Sequence, residues 1–331
     1  MGNKSGKGDA GASEGQQVGS RAGANKLPVT SADFFVRQVG HHGLPEGVRS
    51  LAYCPVQGLI AVGTDTGVIK VFGKPGVEAT FINPGFKSAA TFLLFSHTGS
   101  TLIVVYANTL IRLFDIKKQR TRAELKPGWT GAMVSATHLC PAEASAPFLY
   151  LGTDEGSLHV LNLMKMEFSD YFISGEQFGI ETDDDDNDNE IIGIATNPED
   201  MGEILVAHEF GGIALWNISK RRCEKRYICP KEVLRGTASD SGNRRGSFHG
   251  IQVPSLASIA WHPNGHQFVA GYVNGVVVVY DASHKGSGKV QPIHFDEISM
   301  PKRLTSVLWA TDMRAKNGPG HLVVCGGHET C

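Results

Sequence analysis

The sequence predicts an all-β protein of the β-propeller class, and three observations carry this prediction. A segment of two short apolar strands joined by a tight turn recurs five times along the chain. Further strands precede these segments, so that one supersecondary unit is repeated. Glycine is frequent, with 40 residues of 331, as many tight turns between short strands require. Repeated units of this kind bury their apolar faces by stacking around a central axis, which is the propeller architecture.

The five repeated segments share one order of features. Each begins with an apolar run, reaches a small residue, passes a turn of Asp, Asn or Gly, and returns as a strand with a large closing residue. They lie at residues 59–73, 102–115, 148–162, 204–217 and 268–281. The closing residues are Phe72, Phe114, Leu161, Trp216 and Tyr280, at intervals of 42, 47, 55 and 64 positions. The first two intervals fit a blade of roughly 40 to 50 residues, and the longer ones indicate insertions. The closing side chains are expected to pack between adjacent sheets.

The turns and the flanking strands give the number of blades. Residues 65–67, 154–156 and 274–275 read Asp-Thr-Gly, Asp-Glu-Gly and Asn-Gly, which supply the positive φ that a tight hairpin needs. Preceding strands are predicted at residues 48–55, 91–96, 191–196 and 256–263. A sixth unit begins at 304–309 and continues at 321–327, where the sequence ends before a returning strand. About five and a half blades are therefore expected, as a portion of a larger propeller protein.

The composition divides the chain into a tail and a folded part. Residues 1–32 are rich in Gly, Ser, Ala and Lys, which predicts a disordered tail and no secretory signal. Residues 33–331 are assigned to the propeller, which is incomplete at its C-terminal end, with insertions at about 176–190 and 231–252. No run approaches the ~18 apolar residues of a membrane span. The six cysteines form no CxxC pair, so a reducing compartment is expected.

The first insertion contains an acidic run that is a candidate docking site. Its central residues are Asp183, Asp184, Asp185 and Asp186. We interpret the run as a solvated insertion, with a docking loop for a basic protein partner as the alternative. Calcium binding is disfavoured, because an EF-hand loop requires a glycine at its sharp turn and this run has none.

The second insertion contains arginines among Gly, Ser and Asn and reads as a mobile loop. Arg235, Arg244 and Arg245 are its candidate protein-binding residues. Ser247 follows two of these arginines and is a candidate phosphorylation site for a basophilic kinase. A phosphate there would add about −1.5 to −2 charges beside the arginines, enough to order the loop or to block a docking surface.

The charge and motif patterns favour a protein-interaction role over catalysis. The formal net charge is −2, which gives no electrostatic reason to seek nucleic acid or an anionic membrane. No phosphate-binding loop, nucleophile elbow or cysteine-nucleophile signature is present. His262 and His266 span a turn and are not expected to bind a metal. No enzyme activity, cofactor or small-molecule substrate is therefore predicted.

Several stretches resemble the WD repeats of the lethal giant larvae and tomosyn family. In the first repeat, the resemblance rests on residues 61–67, Ala-Val-Gly-Thr-Asp-Thr-Gly, and 71–78, Val-Phe-Gly-Lys-Pro-Gly-Val-Glu. It continues at residues 42–45, 148–160, 197–200 and 259–268. The similarity extends over roughly residues 35–331 and concerns the N-terminal propeller portion of that family.

The resemblance implies a specific function. Proteins of this family consist of two seven-bladed WD40-type propellers, bind syntaxin-type SNARE proteins, and regulate exocytosis and polarised vesicle fusion. It further implies a cytoplasmic location with peripheral association at the plasma membrane through partners. The repeats alone also fit a generic WD40 scaffold of another complex, such as a ubiquitin-ligase adaptor or a coat-type subunit, because a fold does not determine a function.

Overall fold

The computed structural model of the chain describes most of the repeated part of the sequence. Side chains are described at residues 43–74, 76–82, 85–129, 132–179, 189–228, 255–283 and 304–309. The backbone alone is described at residues 247–248, 251–252, 292–297, 310 and 321–326. Tertiary contacts divide the chain into two units, Met1–His41 and His42–Cys331, and every described residue lies in the second. The predicted tail, residues 1–32, lies outside the described residues.

The described residues form antiparallel sheets in sequence order. Sheet 1 contains β1 (Val48–Cys54), β2 (Leu59–Thr64), β3 (Ile69–Phe72) and β4 (Glu78–Phe81). Sheet 2 contains β5 (Ala90–Phe95), β6 (Thr101–Tyr106), β7 (Ile111–Asp115) and β8 (Arg120–Leu125). Sheet 3 contains β9 (Val134–Leu139), β10 (Phe148–Thr153), β11 (Leu158–Asn162) and β12 (Glu167–Ile173), and is followed by the helical turn α1 (Gly175–Phe178).

The remaining sheets follow the same pattern. Sheet 4 contains β13 (Ile191–Thr196), β14 (Glu203–His208), β15 (Ile213–Asn217) and β16 (Arg222–Tyr227). A short hairpin of β17 (Ser247–Phe248) and β18 (Ile251–Gln252) lies within the predicted second insertion. Sheet 5 contains β19 (Leu256–Trp261), β20 (Gln267–Tyr272), β21 (Val276–Asp281) and β22 (Pro292–Glu297). Finally, β23 (Leu304–Ala310) pairs with β24 (His321–Gly326). Five four-stranded blades and a half blade confirm the predicted propeller class.

The hairpins between the second and third strands close as the sequence predicts. Gly67, Gly156 and Gly275 have φ values of 85°, 77° and 90°. At Gly156 the requirement is twofold, because a Cβ atom there would also approach the carbonyl oxygen of Asn189 to 2.8 Å. Glycine is therefore needed both for the turn and for the close approach of the chain that leads into sheet 4.

Apolar side chains fill the spaces between successive sheets. Strand β6 illustrates the packing, because all of its residues are buried. Leu102 and Val104 belong to the cluster shared with sheet 1, and Ile103 and Val105 belong to the cluster shared with sheet 3. The strand is a continuous apolar run because it is covered on both faces. The predicted closing residues are all buried, namely Phe72, Phe114, Leu161, Trp216 and Tyr280.

The first strands of successive sheets lie side by side along β1, β5, β9, β13, β19 and β23. Side chains at these joints donate hydrogen bonds to backbone carbonyls of the adjacent first strand. Ser50 Oγ donates to Ala90 at 2.7 Å, and Ser135 Oγ donates to Ile191 at 2.8 Å. The indole nitrogens of Trp261 and Trp309 donate to Ala195 at 3.1 Å and to Ala260 at 3.3 Å. Four of the joints, all except that of sheets 2 and 3, thus combine apolar packing with a directional contact, which fixes the position of neighbouring sheets.

Candidate functional site

The sequence-predicted binding residues fall mostly outside the described part of the chain. Asp183, Asp184, Asp185, Asp186, Arg235, Arg244 and Arg245 all lie outside it. Ser247 is the first residue of β17, for which the backbone is described. The structure does describe the two anchor points of the acidic insertion, which are α1 on its N-terminal side and Asn189 on its C-terminal side. These anchors define the candidate site.

The N-terminal anchor is a helical turn whose last side chain is fully buried. The Gln177 side chain accepts a hydrogen bond from the Ser174 backbone N–H at 3.0 Å, which caps the turn. Gly179, with φ of 62°, ends it in the left-handed conformation. The Phe178 ring packs edge-on against the rings of His208 and Trp216, at centroid distances of 5.2 and 5.4 Å. The chain therefore leaves sheet 3 through a fixed apolar contact with sheet 4.

Arg226 reinforces this anchor from the outermost strand of sheet 4. Its guanidinium Nε donates a hydrogen bond of 2.8 Å to the carbonyl oxygen of Phe178. This carbonyl lies in the last turn of a helical segment, where no further residue of the helix can donate to it. The contact therefore joins the end of α1 to β16.

The C-terminal anchor is Asn189, which is bound to the end of β14. Its carbonyl oxygen lies 3.0 Å from His208 Nδ1. Because a carbonyl only accepts, Nδ1 carries the proton of a neutral imidazole. The next residue continues the contact, since the Glu209 N–H donates to the carbonyl oxygen of Glu190 at 2.9 Å. The chain therefore enters sheet 4 beside the same histidine that packs on Phe178.

His208 is buried and neutral, and two polar atoms at this place are without a partner. Burial lowers the pKa of His208 to about 4. Within the described residues, His208 Nε2 and Asn189 Nδ2 are buried and form no hydrogen bond. One is an acceptor and the other is a donor, and leaving such groups unpaired costs about 1–3 kcal/mol each. The joint between sheets 3 and 4 therefore contains polar groups whose hydrogen-bonding capacity is unused.

Carboxylates surround the C-terminal anchor, and we call Asp154, Glu190 and Glu209 the acidic surface. Burial raises the pKa of Glu190, and the negative charges of Glu209 and Asp154 add to this effect. Asp154 is held in place because its carboxylate accepts a hydrogen bond of 2.7 Å from the Met133 N–H. The Met133 side chain is 48% exposed beside it. The acidic surface thus offers negative charge and an apolar contact on a rigid base, which suits a basic protein segment.

Sequence reasoning missed His208, although its position in the repeat carries a signal. The last residues of β2 and β10 are Thr64 and Thr153, whose hydroxyls donate at 3.0 and 3.2 Å to the carbonyls of Val68 and Ser157 within their own turns. At the equivalent end of β14, His208 bonds instead to Asn189 in the preceding connection. A residue that departs from the repeat at a turn position therefore marks the place where an insertion is attached.

The remaining sequence expectations concern histidines, metals and membranes. His262 is buried, its Nδ1 accepts a hydrogen bond from the Asn264 N–H at 3.1 Å, and its ring packs on Trp309. The pair His262 and His266 thus spans a turn, as predicted. Among the described side chains, no group of three or more His, Cys, Asp or Glu residues is placed to hold a metal ion. In the same part of the chain, no helix has the length and apolar character needed to cross a bilayer.

Two family models match parts of the chain. Residues 51–137 match the WD40 domain of anaphase-promoting complex subunit 4. Residues 243–281 match the WD domain, G-beta repeat. Both matches agree with the repeated strand pattern of the structure.

Longer proteins of one group are also similar to this chain. The Lethal(2) giant larvae proteins of Drosophila pseudoobscura pseudoobscura and Drosophila melanogaster are 29% and 28% identical, over 60% and 64% of this chain. The human LLGL scribble cell polarity complex component 2 is 23% identical over 84% of this chain. The aligned regions cover 17%, 19% and 26% of these three relatives, so the chain spans about a fifth to a quarter of their length.

Proposed function

Because the chain is a WD-repeat homologue of the lethal giant larvae proteins, we propose that it is a non-enzymatic scaffold for protein complexes of cell polarity and secretion. Its specific role in this proposal is to bind syntaxin-type SNARE proteins and to regulate exocytosis and polarised vesicle fusion. It acts in the cytoplasm and associates peripherally with the plasma membrane through its partners. The observation that carries the proposal is the homology, which extends over the stacked sheets.

The construction of the sheets supports a scaffold role. Stacked blades hold their connecting turns at fixed positions, and binding residues on such turns need no large rearrangement to meet a partner. The name of the human relative, a scribble cell polarity complex component, supports the assignment to polarity complexes. We propose that the acidic surface, extended by Asp183 to Asp186, receives a basic segment of the partner. Arg235, Arg244 and Arg245 form a second contact, and phosphorylation of Ser247 regulates it.

A second candidate function is a scaffold of a different multiprotein complex. The match of residues 51–137 to the WD40 domain of an anaphase-promoting complex subunit favours this alternative. Both functions use the same fold, and they differ in the proteins that are bound. The identity of the bound proteins is therefore the measurement that separates them.

The test is an affinity purification of the tagged chain from a membrane-containing lysate, with mass spectrometry of the bound proteins. We expect syntaxin-type SNAREs to be enriched over an unrelated propeller. A variant with Asp154→Asn, Glu190→Gln and Glu209→Gln is expected to recover at least about fivefold less, since three rim charges together contribute roughly 1 kcal/mol or more. The matched control is Glu143→Gln, Glu167→Gln and Asp170→Asn, which removes three exposed carboxylates from sheet 3 and its loops.

The outcomes are distinct. SNARE recovery that falls in the acidic-surface variant and persists in the control supports the proposal and the site. SNARE recovery that is equal in both variants supports the function and rejects the acidic surface. Consistent recovery of another stable complex without SNAREs rejects the SNARE function in favour of the second candidate.

A further inference from the structure

The outermost strand of sheet 2 carries an unusual concentration of positive charge. Strand β8 is the last in the sheet order and has a neighbouring strand on one side. The strand, the turn before it and the residue after it contain five cationic side chains, and we call them the cationic edge. These are Lys117, Lys118, Arg120, Arg122 and Lys126, and all five are exposed.

The cationic edge has no anionic partner within the described part of the chain. The carboxylate of Glu124, on the same strand, pairs with the buried Arg112 across the strands at 3.0 Å. The nearby Asp115 carboxylate accepts a hydrogen bond of 2.8 Å from the Lys118 backbone N–H. Neither carboxylate forms an ion pair with a member of the cationic edge. Five cations therefore lie along one short segment and form no ion pair of their own in the described part of the chain, while Asp115 is the strand-pairing partner of Arg120.

The equivalent strand of sheet 4, β16, and the turn before it are also basic, and each of their cations contacts another group of the same molecule. Lys220 and Arg222 pair with Glu224 at 2.9 and 3.2 Å. The remaining three cations each contact a polar or aromatic group of the same molecule. Arg221 lies over the Tyr171 ring, Lys225 donates to the Ala282 carbonyl, and Arg226 donates to the Phe178 carbonyl. The outer strand of a sheet in this fold can therefore have partners for all of its basic residues, unlike β8.

Charges on edge strands also prevent unwanted pairing between sheets. Strand β16 carries a similar number of charges, which are paired, and the outer strands of sheets 1 and 3 carry fewer. Strand β4 has Glu78, and β12 has Glu167 and Asp170. Neighbouring cations on β8 lie within about one Debye length of one another, so their repulsion is incompletely screened. The five cations of the cationic edge repel one another, and an anionic partner would relieve this repulsion.

The surroundings of the cationic edge indicate the kind of partner. Between residues 85 and 129, no large hydrophobic side chain is among the exposed ones, so the patch lacks the apolar residues with which basic surfaces insert into membranes. The cations follow a strand and its turn, in a line of roughly 20–30 Å at about 3.4 Å per strand residue. Strand β8 also presents backbone donors and acceptors on its outer side, which an extended peptide can pair with.

We propose that the cationic edge is a docking site for an acidic, extended peptide segment of a partner protein. Carboxylates of the peptide pair with the five cations, and its backbone runs along β8. The site lies on sheet 2 and is distinct from the acidic surface at the joint of sheets 3 and 4. The two surfaces have opposite charge and select partner segments of opposite charge.

The test measures binding of a fluorescent peptide of alternating Glu and Ser, about ten residues long to match the segment, by anisotropy on the full chain. We expect binding that weakens as salt is raised, because exposed ion pairs are screened. The variant Lys117→Gln, Lys118→Gln, Arg120→Gln and Arg122→Gln is expected to bind at least about tenfold more weakly. The control variant Arg49→Gln, Lys74→Gln, Lys87→Gln and Lys165→Gln loses the same charge from exposed sites on other segments.

The outcomes either support or overturn the site. Loss of binding in the first variant with retention in the control supports it, and thermal unfolding verifies that both variants are folded. If the first variant fails to fold, the turn substitution Lys117→Gln with Lys118→Gln replaces it, with a smaller expected loss. Equal loss in both variants, no loss, or no binding by the unmodified chain overturns the proposal. Binding to phosphatidylserine vesicles or duplex DNA in place of the peptide also overturns it.

Discussion

His208 is a single side chain on which the joint between sheets 3 and 4 depends. It packs on Phe178 and donates to Asn189, and its complete burial favours the neutral ring. Burial lowers the pKa of His208 to about 4, and burial likewise lowers the pKa of His138 to about 4. His138 Nε2 accepts a hydrogen bond from the Thr196 N–H at 3.2 Å, and a protonated ring loses this acceptor. The same joint thus contains two imidazoles that must remain uncharged.

We predict that the folded chain loses stability between pH 6.5 and pH 4. The imidazole pKa is lower in the folded chain than in the unfolded one, so the unfolded chain binds more protons in this range. The free energy of unfolding therefore decreases as the pH is lowered from 6.5 to 4. For His208 the loss amounts to at most about 3 kcal/mol. The raised pKa of Glu190 acts in the opposite direction and reduces the total.

Urea unfolding at a series of pH values measures this effect. His208→Asn keeps a donor for the Asn189 carbonyl and removes the titrating ring, so its pH dependence is expected to be shallower than that of the unsubstituted chain. His266→Asn, at an exposed position, is the control and is expected to leave the slope unchanged. Parallel curves for His208→Asn and the unsubstituted chain would contradict the prediction.

At the scale of elements, the sequence predicted the inner strands much better than the outer ones. The five repeated segments correspond to the second and third strands of sheets 1 to 5, because these strands are buried on both faces and read as apolar runs. The fourth strands were not visible in the pattern. Strand β8, for example, has an exposed edge and is mostly polar, so it has no apolar alternation to reveal it.

Two further elements escaped prediction because they are short. The single turn of α1 is stabilised by tertiary contacts of Phe178, which local sequence does not reveal. The hairpin of β17 and β18 lies within a segment that was expected to be a mobile loop. Its two strands have two residues each, too few for an alternating pattern to reveal them.

We predict that strand β6 tolerates truncation poorly. Ile103 is 1% exposed and packs in the cluster between sheets 2 and 3, so Ile103→Ala leaves a cavity and costs about 2–5 kcal/mol of unfolding free energy. Ile82→Ala, at a position that is 66% exposed, is the matched control and should cost less than about 0.5 kcal/mol. Denaturant unfolding measures both values, and a similar cost for the two substitutions would refute the packing argument.

At the scale of the whole molecule, the joints between sheets determine how far a local disturbance spreads. Sheets contact their immediate neighbours, so stability is a sum of sheet and joint contributions. The sequence predicted that units stack, but it did not predict which side chains make the joints. Ser135 and Trp261 act through backbone carbonyls of an adjacent sheet, and a carbonyl carries no side-chain signature in the sequence.

We predict that Ser135→Ala weakens the joint of sheets 3 and 4 without unfolding the chain. The substitution removes the 2.8 Å hydrogen bond to the Ile191 carbonyl and costs about 1 kcal/mol. Amide protons of β9 and β13 are expected to exchange faster, while those of sheet 1 keep their rates. Ser145→Ala, at an exposed position in a loop of sheet 3, is the control. Uniformly faster exchange in all sheets, or unchanged exchange in β13, would contradict the prediction.

The paired anchors around His208 also bear on how much change in length and sequence the connection between them tolerates. Phe178 and Asn189 fix the points at which the connection leaves sheet 3 and enters sheet 4. The entropy of closing a loop between fixed ends grows slowly with its length, by only about 0.6 kcal/mol for each doubling of the number of residues. Residues can therefore be gained, lost or exchanged between these anchors with little effect on the sheets. Natural selection, or a protein engineer, can thus replace a recognition sequence between the two anchors while the sheets keep their structure.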